Sequence, residues 1–231
     1  MLLGGEQGEA YRESMEQEQE PKKPFILPEA NRTMHRAFAY LVKTRCLDPK
    51  VVSVFARRHM IYEDAKYHNA VFVGFDVDGI PRHAHKRGTC QRGKPFKGNV
   101  ESCDPRYSFH WIGKSDTVYV FEAPIDMLSF ISMYQKDWMG HSYVALCGVA
   151  EHALVQLLED VPHLSKITLC LDHDKAGIEA GERIKKRLSE RGYRNVFPLF
   201  SCQKDWNEDL QALQKPPPEF VAECQTVTQM M

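Results

Sequence analysis

The sequence predicts an α/β fold, a four-stranded parallel sheet flanked by helices and preceded by a smaller, basic α+β subdomain. Three observations predict it. From Thr117 onward, short apolar runs alternate with stretches of helical period. Before that point the chain reads as two helices and a hairpin. Between Gly79 and Val100 no acidic residue occurs, while arginine, lysine and glycine accumulate. The expected division is an acidic tail or linker over 1–24, the α+β subdomain over 25–114, the α/β domain over 115–213, and a C-terminal tail over 214–231.

The elements follow in order. Residues 1–24 hold six glutamates and little apolar surface after Leu3, the composition of a chain that cannot form its own core. Met34, Ala37, Phe38, Leu41 and Val42 recur at helical spacing and predict a helix over 31–45. Asp48-Pro49 is a cap residue followed by a proline at the first helical position, and the helix it opens would bury Val51, Val52 and Phe55. Both helices read as packing elements without chemistry. Ala70–Phe75, the turn residues 76–79 and Ile80–Lys86 form a hairpin. Tyr107, Phe109 and Trp111 alternate as core positions of a strand. Strands are then expected at 117–121, 143–146, 167–171 and 195–200, with helices at 124–136, 150–158, 175–191 and 206–213.

Composition narrows the function. At 231 residues, with 43% hydrophobic and 26% charged, the chain has a globular profile. No apolar run approaches the ~18 residues a membrane span needs, so no membrane partner is expected. The first residues lack a secretion signal, and the expected location is the cytoplasm. Seven cysteines lie singly, without a Cys-x-x-Cys pair, which fits reduced thiols and argues against zinc.

The chemistry gathers at the strand ends. Ile167–Leu171 runs into Asp172 and Asp174, and side chains two apart on extended backbone point the same way. Glu122 follows the strand at 117–121, and Asp126 lies in the first turn of the next helix. Asp205 and Asp209 follow the last strand. Carboxylates crowded on one sheet edge repel unless cations lie between them, and hard oxygen ligands suit Mg²⁺ or Mn²⁺. That is the requirement of a phosphoryl-transfer site. The competing reading has each acid capping its own helix. The acid-free segment supplies Arg82, Lys86, Arg87, Arg92, Lys94 and Lys97, interleaved with Gly88, Gly93 and Gly98, as candidates for phosphate or nucleic-acid contact.

Phe121-Glu-Ala-Pro-Ile-Asp126, Cys147-Gly148-Val149 and Asp172-His-Asp-Lys-Ala-Gly177 resemble the three landmarks of the Toprim domain of topoisomerases, DnaG-like primases and some nucleases. The resemblance covers about 115–213. It implies a Rossmann-like sheet with Glu122, Asp172 and Asp174 as catalytic, metal-binding acids, Asp126 and Asp205 supporting them as metal ligands, Gly148 in a structural turn, and Gly177 where helix and phosphate approach closely. The upstream half, with Pro95-Phe-Lys-Gly-Asn99, is similar to the N-terminal part of a primase catalytic core, where basic residues hold template and nucleotide. The whole of 31–213 is also similar to primase-like proteins of plasmids and conjugative elements. The partners so implied are single-stranded DNA, nucleoside triphosphates, and a helicase or relaxase of a mobile element. Met1-Leu-Leu-Gly-Gly resembles the tail of a primase zinc-binding module, so the chain could be a fragment. Ala123-Pro124 departs from the glycine that primases usually carry after the glutamate, and the basic loop is shorter than theirs. Three readings stay open: a primase-type nucleotidyl transferase, a Toprim nuclease with Glu122 as base, and a DNA-binding module without turnover.

Overall fold

The structure is a computed structural model that describes residues 23–90, 96–148 and 150–214. Two sheets organise it. The first is antiparallel, in the order β1 (Ile61–Glu63), β2 (Ala70–Phe75), β3 (Pro81–Arg87), β4 (Lys97–Asn99). The expected hairpin is its centre. The second contains β5 (His110–Trp111), β6 (Thr117–Phe121), β7 (Ser142–Ala145), β8 (Lys166–Leu169) and β9 (Asn195–Pro198), in the order β5-β7-β6-β8-β9. The four predicted strands pair in parallel. One further strand, β5, joins them antiparallel to β7. Phe109 and Trp111 are in the core, whereas Tyr107, expected with them, ends a 3₁₀ turn over Pro105–Tyr107 and is half-buried.

The helices form where capping and periodicity coincide. Helix α1 (His35–Ala39) continues through a π turn over Tyr40–Thr44. Asp48 accepts the Lys50 and Val51 N–H groups at the start of α2 (Pro49–Arg57), satisfying donors the first turn leaves orphaned. Helix α3 (Pro124–Met133) is buried from Pro124 through Ile131. Helix α4 (His152–Asp160) follows β7. Helix α5 (Lys175–Glu190) buries Ala180, Ile184 and Leu188, four apart on one stripe, and α6 (Trp206–Gln214) buries Trp206, Asn207 and Leu210.

The period of the strands sorts side chains onto the two faces of the parallel sheet. Val118, Val120, Ile167 and Leu169 pack against α4 and α5. Phe121, Tyr143 and Cys170 face the other way and join α3, α6, α1, α2 and the inner face of the first sheet in one apolar cluster. The two sheets therefore share a core. Where they meet, a Cβ on Gly74 would lie 1.8 Å from the Tyr107 carbonyl oxygen, so only glycine allows this approach. Among the described residues, no helix is long and apolar enough to cross a membrane.

Candidate active site

Strands β6 and β8 are neighbours, while their onward connections lead to β7 on one side and β9 on the other. Ligands of open α/β sheets bind at the carboxyl ends of such a strand pair. Glu122 follows β6 and Asp172 follows β8, so the topology sets them side by side. Gly177 makes this possible from the helix side. A Cβ there would lie 2.1 Å from the Asp172 carbonyl oxygen and 3.0 Å from Glu122 Oε1.

A cavity of about 530 Å³ opens at this edge. Glu122, Asp126, Asp172 and Asp205 line it from the parallel sheet and its helices, and His85, Arg87, Lys97 and Arg45 line it from the N-terminal half. Glu122 Oε1 and Asp172 Oδ1 are buried and lack hydrogen-bond partners among the described residues. Burial, reinforced by Glu122, Asp205 and Asp174, pushes the Asp172 carboxyl up to about 7. Burial likewise raises Glu122, partly offset by the Asp172 N–H. Asp126 is held well above the usual carboxylate range, by burial and then by Asp205 and Asp172. No three His, Cys, Asp or Glu side chains among the described residues stand in a finished metal-binding group. The carboxylates are gathered without being closed into a ligand set. Two unpartnered oxygens and mutually raised carboxyls are the donor set a hard divalent cation fits, because it supplies the charge that burial has removed.

Other expected site residues are placed differently. Asp174 caps α5, accepting the Gly177 N–H at 3.0 Å, and lies 3.6 Å from the Lys204 ammonium. It does not line the cavity, though its charge reaches Glu122 and Asp172. Asp205 both lines the cavity and accepts the Glu208 N–H at the start of α6. Asp209 turns away and holds the Cys202 and Gln203 N–H groups. His173 braces the aspartate loop against the Ser201 carbonyl. Gly148 lines the cavity in the turn after β7, and the left-handed residue of that turn is Cys147.

Of the basic segment, Arg87 and Lys97 reach the cavity, sitting opposite each other on β3 and β4. Their neighbours His85 and Asn99 form the next pair on the same face, joined by a 2.7 Å hydrogen bond. Lys86 points to the other face, its ammonium over the Phe96 ring. Arg82 is paired with Asp76 at 2.6 Å on the hairpin. Arg92 and Lys94 lie outside the described residues. Arg45 is the cavity residue that periodicity missed. It follows the π turn after α1, in a segment that reads as packing, and its only local signal is a cation directly after a helix end.

Residues 119–210 match the family model described as Toprim-like. They are a Toprim-like domain. Residues 39–115, ahead of it, match a family described as a protein of unknown function, DUF3991. An uncharacterized protein of Bacillus anthracis is 25% identical over 202 residues, 78% of this chain and 58% of that protein. The uncharacterized protein MG010 of Mycoplasma genitalium is 30% identical over 97 residues, 41% of this chain and 42% of that protein. The chain thus spans about half the length of the curated relatives it matches. Among solved structures, the DnaG primase catalytic domain bound to ssDNA is similar over 80% of this chain and 72% of that one, with a TM-score of 0.56 and 15% identity. The primase fragment of the bacteriophage T7 primase-helicase protein is similar over 72% and 66%, with a TM-score of 0.54 and 18% identity. The Aquifex aeolicus primase, with its zinc-binding and RNA polymerase domains, gives 0.54 at 17% identity over 79% and 54%. The Toprim-like domain and the segment before it therefore share the fold of a primase catalytic core.

Proposed function

We propose that this protein is a divalent-metal-dependent nucleotidyl transferase of primase type, acting on nucleoside triphosphates with single-stranded DNA as template. One observation carries the reading: a single cavity lined by partly or fully buried carboxylates of the parallel-sheet half and by Arg45, Arg87 and Lys97 of the N-terminal half. Such a division matches a ligand that is anionic and metal-bound at once. Residues 115–213 supply the acids together with Lys204, and residues 25–114 supply Arg45, Arg87 and Lys97.

In this reading Glu122 and Asp172 hold Mg²⁺ or Mn²⁺, with Asp126 and Asp205 beside them and Asp174 contributing charge from the helix cap. The bound cation supplies neutralisation of the charge that develops on phosphate oxygens. Arg87, Lys97 and Arg45 bind and orient phosphates from the facing wall, where the low dielectric of a walled cavity strengthens each contact. Asp126, which burial favours in its neutral form, adds a carboxyl that does not compete for charge with its neighbours.

The test is incorporation of labelled nucleotides on single-stranded DNA with Mg²⁺ or Mn²⁺. Wild type is expected to incorporate, and Glu122→Gln and Asp172→Asn are each expected to lose at least about 100-fold, the scale of removing one electrostatic contact to a transition state. Nucleotide release without any triphosphate would replace this reading by a nuclease. Salt-sensitive DNA binding with no turnover by wild type would reduce it to a binding module.

A further inference from the structure

Arg45 and Arg87 come from different parts of the chain and meet at one oxygen. The Tyr40 hydroxyl accepts a hydrogen bond from Arg45 Nε at 2.8 Å and another from Arg87 Nε at 3.3 Å. Both residues line the cavity. Neither takes part in an ion pair among the described residues. Two like charges gathered on a neutral oxygen repel each other, and an anion between them relieves the repulsion. Arg45 is fixed further by Nη1 donating to Asn207 Oδ1 at 3.2 Å, while Asn207 itself donates to the Arg45 carbonyl and to Ser129 Oγ.

We propose that Tyr40 is a positioning residue whose hydroxyl sets the spacing and orientation of Arg45 and Arg87 so that both guanidiniums engage one phosphate group. The inference rests on the phosphate reading of the cavity given above and deepens it. A simpler role, stapling the end of the π turn, accounts for the bond from Arg45, five residues on. It does not account for Arg87, which arrives from β3 in the first sheet. The Tyr40 ring is 6% exposed and belongs to the shared core, so phenylalanine keeps the packing and removes only the shared acceptor. An arginine fork is effective toward phosphate only when its N–H groups are held in direction. Tyr40 holds the Nε–H of each fork and Asn207 takes one further Arg45 N–H, leaving the other donors for the cavity.

The experiment measures binding of inorganic triphosphate and of a single-stranded oligonucleotide by titration calorimetry, with a thermal melt for every variant. Tyr40→Phe is expected to weaken triphosphate binding about five- to tenfold, the net worth of one ordinary hydrogen bond, with an unchanged Tm. Adding Tyr40→Phe to Arg45→Ala/Arg87→Ala is expected to cause no further loss. Should that double variant not fold, Arg87→Gln serves as the background, and the Tyr40→Phe effect should shrink there. Wild-type affinity in Tyr40→Phe, or an equal loss with and without the arginines, overturns the positioning role. Failure of wild type to bind either probe overturns the phosphate reading and takes this inference with it.

Discussion

Asp172 carries the clearest conflict between stability and chemistry. Its folded pKa, about 7, lies above the ordinary 3.8 because burial and three neighbouring carboxylates disfavour its charge. A raised folded pKa contributes stability that is full below about 4 and is lost as pH rises through about 7. Without divalent cations, the Tm of wild type should therefore fall between pH 5 and pH 8, and Asp172→Asn should remove part of that fall. At pH 8, added Mg²⁺ should raise the Tm of wild type and leave Asp172→Asn nearly unmoved, because a ligand stabilises only the state that binds it. Melts at the two pH values, with and without MgCl₂, check both expectations. An equal Mg²⁺ response in both proteins would remove Asp172 from the metal-binding set.

Helix α5 shows how one glycine positions a whole element. Its N-terminus is pressed against the loop after β8, with Asp174 capping the Gly177 N–H. Gly177→Ala would force a Cβ into the Asp172 carbonyl, which is backbone and cannot rotate away. The helix must then shift, moving Asp172 relative to Glu122. Denaturant unfolding is expected to report a loss of about 1–3 kcal/mol, the usual cost of overpacking, accompanied by weaker Mg²⁺ stabilisation. The exposed Gly192, at φ +92° beyond the other end of α5, meets no neighbouring atom. Gly192 is required by its backbone angle, whereas the steric need for glycine at Gly177 belongs to the end of α5 at the candidate site.

The two halves of the molecule are welded by aromatic side chains. The Phe55 ring, from α2, lies 5.3 Å from Phe109, 5.4 Å from Trp111 and 5.6 Å from Trp138, and Phe109 in turn meets Phe72 of the first sheet at 5.5 Å. The cavity walls that face each other belong to these two halves, so the core that joins them also sets the gap between acids and cations. Phe55→Ala should cost about 3–5 kcal/mol. Far-UV circular dichroism and tryptophan fluorescence should give coincident transitions in wild type, the signature of a single cooperative unit. Separate transitions would mean that the halves are held by weaker contacts than the shared core implies.

Local patterns determined much of this protein. The parallel strands and their helices follow from apolar period, and the Asp48-Pro49 cap begins its helix where the residues say it should. The delivery of Glu122 and Asp172 to one sheet edge follows from their places just after β6 and β8, and that of Asp205 from its place in the loop between β9 and α6. Tertiary structure decided what those patterns leave open. Whether β6 and β8 are neighbours depends on strand order, which no local period encodes. The antiparallel β1 and β5 are three and two residues long, too short to carry an alternating signal. Of the six cations in the basic segment, strand pleat and pairing brought Arg87 and Lys97 to the cavity, put Lys86 on the opposite face, and left Arg82 to Asp76. Arg45 entered the site only through folding, because its partner Asn207 lies 162 residues on and Arg87 reaches the shared Tyr40 hydroxyl from β3. Secondary structure is set by neighbours within a few residues, whereas a site is set by which distant edges the core brings face to face.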